Sequence, residues 1–244
     1  MHRRLALILV AIVIGYLCGC SLPSTSGLLG VAGSGVTASR TFDLKDFTEV
    51  DVSGPFEVAI DQGEKFDVTV TSDDNLQEFI VVEKTARKLA IHIQSGQTLR
   101  PKAAMKAKVT MPVVEAVDLE GACIGSLNGF KKLKSLKVVV QGASKVGGDV
   151  QSETLTLEAN GASEIKLAGK VHDCAASAQG ASRLQLGDLT AEDLTVNLNG
   201  ASNAVVHAEE TLDFDLNGAS HLDYKGDAKI GKKEAHGASG ASKK

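Results

Sequence analysis

The tripeptide Gly-Ala-Ser, once as Gly-Ala-Cys, recurs with its glycine at 121, 142, 161, 180, 200, 218 and 237, at intervals of 21, 19, 19, 20, 18 and 19 residues. So regular a return restricts the chain to a stack of near-identical units, each repeating the packing of the one before. The flanks identify the unit. In Leu155, Leu157, Ala159, Gly161, Ser163, Ile165 and Leu167 every second residue is apolar or small. The same parity runs through 136–146, 194–206 and 212–224. Alternation with period two is the signature of a β-strand with one face turned inward. Because parity survives the tripeptide, Gly-Ala-Ser is expected to bend the chain between two strands. A hairpin array would need turn signals every ~8–12 residues. One motif per 19–20 residues instead predicts an all-β fold: a single-stranded parallel β-helix, or β-solenoid, of coils stacked in parallel. Right-handed winding is expected from the handedness of parallel crossovers.

Stacking assigns a task to each motif position. The glycine is expected inward, allowing a sharp bend where a side chain would meet the core. The serines at 144, 163, 182, 202, 220 and 239 are expected to form an inward ladder whose hydroxyls satisfy backbone groups freed by the bend. The residue before each glycine forms an outward row, Glu120, Gln141, Asn160, Gln179, Asn199, Asn217 and His236. That row is expected to stack as an amide ladder. Gln141, Asn160, Gln179, Asn199 and Asn217 are also the candidate binding surface, with Thr195, Asn197, Asn203, Lys145 and Arg183 beside them.

Residues 50–58 share the parity, with Gly54 at the motif position and Phe56 where serine usually sits, and read as a diverged first coil. Strand-like stretches follow around 66–71, 79–83, 88–93 and 105–111 and are expected to cap or flank one end, since an open edge coil templates aggregation. The Lys-rich stretch from Lys229 to Lys244 would discourage strand addition at the other end.

The beginning of the chain reads as an address. Arg3 and Arg4 precede a short apolar run, and Leu17-Cys18-Gly19-Cys20 resembles a bacterial lipobox. That resemblance implies a lipoprotein signal peptide over 1–19 and Cys20 as the lipidated mature N-terminus. With Ser21 after the cysteine, it further implies sorting to an outer membrane. Removing residues 1–19 takes away two arginines and no acids, so the charge becomes 26 − 2 − 30 = −6. An anionic headgroup surface would repel such a domain, leaving the lipid to hold it. Residues 20–40, rich in Ser, Gly and Thr, read as a flexible tether reaching ~25 Å. The expected organisation is then one solenoid domain over 41–244: diverged coil and capping strands at 41–115, Gly-Ala-Ser coils at 116–244.

Phe47-Thr48-Glu49-Val50-Asp51-Val52-Ser53-Gly54-Pro55-Phe56-Glu57-Val58, Asp61-Gln62-Gly63, Val109-Thr110-Met111-Pro112 and the repeated Gly-Ala-Ser together resemble the bacterial auto-transporter adhesin head GIN domain family. The resemblance covers residues 41 to about 226. It implies a secreted or envelope-associated β-solenoid, often a lipoprotein, and brings no catalytic residues with it.

Chemistry-bearing residues do not assemble along the sequence. Cys123 takes the corner serine's place and Cys174 has inward parity; they lie 51 residues apart, so no disulfide is expected between them. His207 and His221 read as surface residues, and Asp213 and Asp215 as a solvated acidic face. No calcium-loop spacing, nucleophile elbow, phosphate loop or Cys-x-x-Cys pair occurs. No catalytic residue, metal or cofactor is expected. A net charge of −4 argues against nucleic acid. The absence of Trp and the presence of only two Tyr leave little for aromatic stacking on sugars or bases. The expected function is a non-enzymatic, lipid-anchored envelope protein whose rigid surface serves adhesion or macromolecular binding. Its partners would be the membrane through its lipid, and a surface polysaccharide, an envelope protein or a second copy. Two alternatives stand beside it: a polysaccharide-cleaving β-helix enzyme, which would need a cleft built by long inserted loops, and an envelope partner or signalling scaffold.

Overall fold

The computed structural model describes residues 30–244; the signal segment, Cys20 and the first half of the expected tether lie outside the described residues. The first half of the fold comprises β1 (Val31–Ala32), β2 (Thr37–Phe42), β3 (Glu49–Gly54), β4 (Phe56–Gln62), β5 (Asp67–Asp73), a short 3-10 helix (Asp74–Phe79), β6 (Ile80–Thr85), β7 (Lys88–Ile93), β8 (Leu99–Arg100) and β9 (Met105–Met111). The coils follow: β10 (Ala116–Gly121), β11 (Ile124–Val140), β12 (Lys145–Gly161), β13 (Glu164–Gly180), β14 (Arg183–Gly200), β15 (Asn203–Gly218), β16 (His221–Lys225), β17 (Lys229–Gly237) and β18 (Gly240–Lys243). They stack in parallel as a β-solenoid of about seven turns.

The coil that comes first in the sequence is second in the stack. β3 lies in parallel between β7 and β10, and β4 between β9 and β11. Gly54 pairs with Gly121, and Phe56 is buried at the serine position, filling the corner with a ring. β7 and β9 form the layer beneath. That layer is closed by reversal: β6 runs antiparallel to β7, β5 antiparallel to β9, and β2 antiparallel to β5. An antiparallel strand does not continue the parallel repeat, so the flanking strands end it.

Residues 30–40 do not extend the tether. β1 pairs with β8, and β2 with β5. The composition that reads as linker serves here as cross-strand hydroxyl pairs, Ser39 with Thr71 at 2.7 Å and Thr41 with Thr69 at 3.2 Å. Asp73, fully buried, clamps the segment. Its carboxylate accepts the backbone N–H of Gly35 at 2.6 Å, of Lys102 at 3.0 Å and of Ala103 at 3.1 Å. Burial by itself pushes this carboxyl up, but those N–H donors outweigh it and hold it below the usual carboxylate range.

In the coils the inward parity holds residue by residue, with one correction at the corner. Leu155, Leu157, Ala159, Ser163, Ile165 and Leu167 are buried, whereas Gly161 is exposed, as are Gly142, Gly180, Gly200 and Gly218. The glycine is needed for another reason. Its φ lies between +76° and +87° at 142, 161, 180, 200 and 218, where side chains are disfavoured. Each corner carbonyl also accepts the N–H of the next coil's alanine, as Gly161 O does from Ala181 at 2.8 Å. A Cβ on Gly180 would therefore sit 2.5 Å from Gly161 O. The serine expectation holds: Ser163, Ser182, Ser202 and Ser220 are buried and donate to the carbonyls of Asn160, Gln179, Asn199 and Asn217 at 2.8–2.9 Å.

Each coil bends again where two successive residues face outward, at Glu153-Thr154 and His172-Asp173. One core runs from Phe47 to Leu222. Bulky side chains such as Phe47, Phe56 and Phe130 fill the early layers, and alanines at 159, 176, 178 and 191 fill the later ones.

Candidate functional site

The face leading into the Gly-Ala-Ser corner is a regular lattice. Asn160, Gln179 and Asn199 sit in direct register on β12, β13 and β14, and Asn217 pairs with His236. The expected mutual amide ladder does not form. Gln141 Nε2 donates to Asp118 at 3.3 Å and Asn217 Nδ2 to Asp215 at 2.8 Å, within the acidic neighbours rather than along the row. Asn160, Gln179 and Asn199 make no side-chain hydrogen bond among the described residues, and the last two are exposed. Amide ladders need identical side chains at each level, and alternation of Asn with the longer Gln offsets the amides. Three free amides one strand spacing apart, ~4.8 Å, remain available.

Thr195 and Asn197 share this face. Lys145, Arg183 and Asn203 lie beyond the corner, at the start of the adjoining face, so the expected surface divides in two. Lys145 there pairs with Glu164 at 3.4 Å. Asp213 and Asp215 stand directly beside Thr195 and Asn197. At the head of the lattice Asp51 and Asp118 are in register, and Lys88 pairs with Asp51 at 2.9 Å. Burial, with Asp51 adding repulsion, pushes the Asp118 carboxyl up against the opposing bond from Gln141.

At the second bend, successive coils bring charged residues together in a way that spacing alone did not reveal. His172 Nδ1 meets Glu192 at 2.7 Å, and Lys170 meets Glu192 at 3.2 Å. The hydrogen bond to Glu192, with the charge of Asp173, raises the imidazole's pKa; the same bond lowers that of Glu192. Donor atoms of His172, Asp173 and Asp193, and of Asp215, Glu234 and His236, lie within 4.8 Å of one another, so each trio could share a cation. The signal for both was register: pairs such as Asp173 and Asp193, or Asp215 and Glu234, stand 20 and 19 residues apart, one coil period. His207 and His221 are instead engaged by Glu209 at 2.7 Å and Asp223 at 3.1 Å.

Both described cysteines are free and buried. Cys123 Sγ lies 3.1 Å from Gly54 O, doing at the first corner what serine does above it. Burial pushes the Cys174 thiol up to about 12, so it is not a nucleophile in the folded state. Three surface depressions among the described residues are open grooves of about 440–510 Å³ between outward side chains.

The model of the family described as "putative auto-transporter adhesin, head GIN domain" matches residues 46–228, from just before β3 through β16. The chain belongs to this family. Adhesin-like domains of this kind are extracellular or envelope-associated. Among solved structures, a "putative adhesin" from Bacteroides fragilis superposes with a TM-score of 0.78 at 20% identity, covering 88% of this chain and 100% of that one. A "putative lipid binding protein" from Parabacteroides distasonis gives 0.74 at 21% identity, over 87% of this chain and 98% of the other. A "putative adhesin" from Parabacteroides merdae gives 0.67 at 17%, over 87% and 98%. At these identities the likeness shows the GIN-domain fold. No curated protein matches the chain.

Proposed function

We propose that this GIN domain is a non-enzymatic adhesive module, exported and held to the cell envelope, at an outer membrane, through lipid on Cys20. It binds a repeating surface polymer across the lattice that carries Asn160, Gln179 and Asn199. The observation that supports this reading is the row of three in-register amides left without side-chain partners on a face free of inserted loops. Each amide offers donors and an acceptor, individually weak, and a polymer that presents the same groups at intervals sums them through multivalency. The near-constant coil period leaves no long insertions to wall a catalytic cleft, which favours binding over cleavage.

The test is binding of the full chain to envelope extracts and isolated surface polysaccharides, beside the variant Asn160→Ala/Gln179→Ala/Asn199→Ala. Saturable binding that drops at least tenfold in a variant with unchanged circular dichroism is the expected result. Binding that survives the triple change, or new reducing ends released from the polymer, would overturn the proposal. For the anchor, Cys20→Ala is expected to move the protein from the membrane to the soluble fraction.

A further inference from the structure

The face that follows the Gly-Ala-Ser corner carries a groove of different chemistry, about 510 Å³ in volume, bordered by Lys166 on β13, Arg183 on β14 and Lys225 on β16. From β13 to β16 is three strand spacings, ~14 Å along the stack. None of the three cations makes an ion pair or side-chain hydrogen bond among the described residues. Lower in the stack on the same face, Lys106 is matched by Glu57 at 3.3 Å and Lys145 by Glu164 at 3.4 Å, while Lys108 stands alone rather than in a group of three.

The acids around the groove are largely occupied. Glu164 is held by Lys145 and by Gln185 at 3.0 Å, and Asp223 by Lys244 at 2.5 Å and His221 at 3.1 Å. Asp188 alone lines the groove without a partner. Three cations against one carboxylate leave the groove positive in a chain of net charge −4. Its floor is low because Gly187 has no side chain. A Cβ there would lie 3.4 Å from Val205 and 3.9 Å from Lys225 Cε, so a side chain at 187 would crowd the end of the lysine stem that lines the groove.

We propose that this groove binds one segment of an acidic polysaccharide, with ring carboxylates on Lys166, Arg183 and Lys225 and the sugar body over Gly187 and Val205. Arg183 offers the planar fork that matches a carboxylate, and the two lysines act as point charges above and below it. A single polymer strand can enter a narrow positive groove, whereas a broad anionic surface such as a bilayer would also meet the chain's excess of acids. The inference goes beyond the adhesive reading of the amide lattice, since it uses another face and another ligand chemistry.

The experiment measures binding of polygalacturonate to the full chain, with dextran as the neutral comparison and glycerol 1-phosphate as a soluble headgroup competitor. Polygalacturonate is expected to bind with an affinity that falls as salt rises, and dextran not to bind. Lys166→Ala/Arg183→Ala/Lys225→Ala should weaken Kd at least thirtyfold and flatten the salt dependence. Lys166→Arg/Lys225→Arg, which keeps the charge, should stay within about threefold of wild type. Gly187→Asp, which raises the floor and adds an anion, should act like the triple variant. The lattice variant Asn160→Ala/Gln179→Ala/Asn199→Ala should leave polygalacturonate binding intact, so failure of one site is distinguishable from failure of the other. Absent or salt-independent binding, equal binding of dextran, an unaffected triple variant, or displacement by glycerol 1-phosphate at concentrations below those of the uronate would each overturn the proposal.

Discussion

The Gly-Ala-Ser coils and the N-terminal block solve one problem by opposite means. In the coils, one corner is reused: positive φ at glycine, a carbonyl bonded to the next alanine, and a buried hydroxyl on the carbonyl three residues back. In the block, order rests on residues used once. Asp73 gathers three backbone donors, Phe47 packs on Phe66 with ring centroids 4.8 Å apart, and antiparallel strands halt the stack. A repeat can propagate but cannot stop itself; stopping it takes unrepeated sequence.

The largest expected effect attacks the reused corner. Gly180→Val places a β-branched residue at φ +85° against the carbonyl of Gly161, and should cost ~3 kcal/mol or more in urea unfolding. Gly161→Val should cost the same within error, because the corner is the same object; a twofold difference would break the equivalence of the coils. Next comes the clamp. Asp73→Asn should remove hydrogen-exchange protection at residues 33–35 and 102–103 while the coils keep theirs. The folded pKa of Asp73 is depressed, so its contribution is present above the ordinary carboxylate pKa and disappears as pH falls through the folded value. Wild-type protection at these amides should thus fade on acidification, and that of the variant should not change with pH.

A smaller loss tests the hydroxyl ladder. Ser182→Ala leaves the Gln179 carbonyl without its 2.9 Å donor and should cost ~1 kcal/mol. Ser182→Cys should recover part of this, as Cys123 performs the role at the first corner. The smallest effect sharpens the contrast between regions. Gly96 has φ +79°, nearly that of Gly180, but open space where its Cβ would be. Gly96→Asn should cost under ~1 kcal/mol, since asparagine tolerates this backbone. A large loss there would mean that φ alone, rather than close approach between coils, dictates the corner glycines.

Much of the fold was legible because a solenoid writes its period into the chain. The inward set at 155, 157, 159, 163, 165 and 167, the buried serines, and strands at 88–93 and 105–111 all follow from alternation and spacing. The candidate site was legible only in outline. The row before each glycine could be read; the absence of bonds along it could not, because that depends on whether side chains in adjacent coils match in length. Identical letters also diverge: Gly240-Ala241-Ser242 repeats the corner tripeptide, yet β18 begins at Gly240, which has no positive φ.

The sequence by itself determined the period, the parity, the residue types at the corner and the family, all of which are local patterns repeated along one chain. Only the tertiary structure decided the outward position of the glycines, the place of β3 and β4 as second layer rather than first, the capture of β2 from what reads as linker, and the meeting of Lys166, Arg183 and Lys225 in one groove. The physical reason is common to these cases. Each depends on a partner one or more coils away, and that choice is made by packing and hydrogen bonding between segments far apart in the chain.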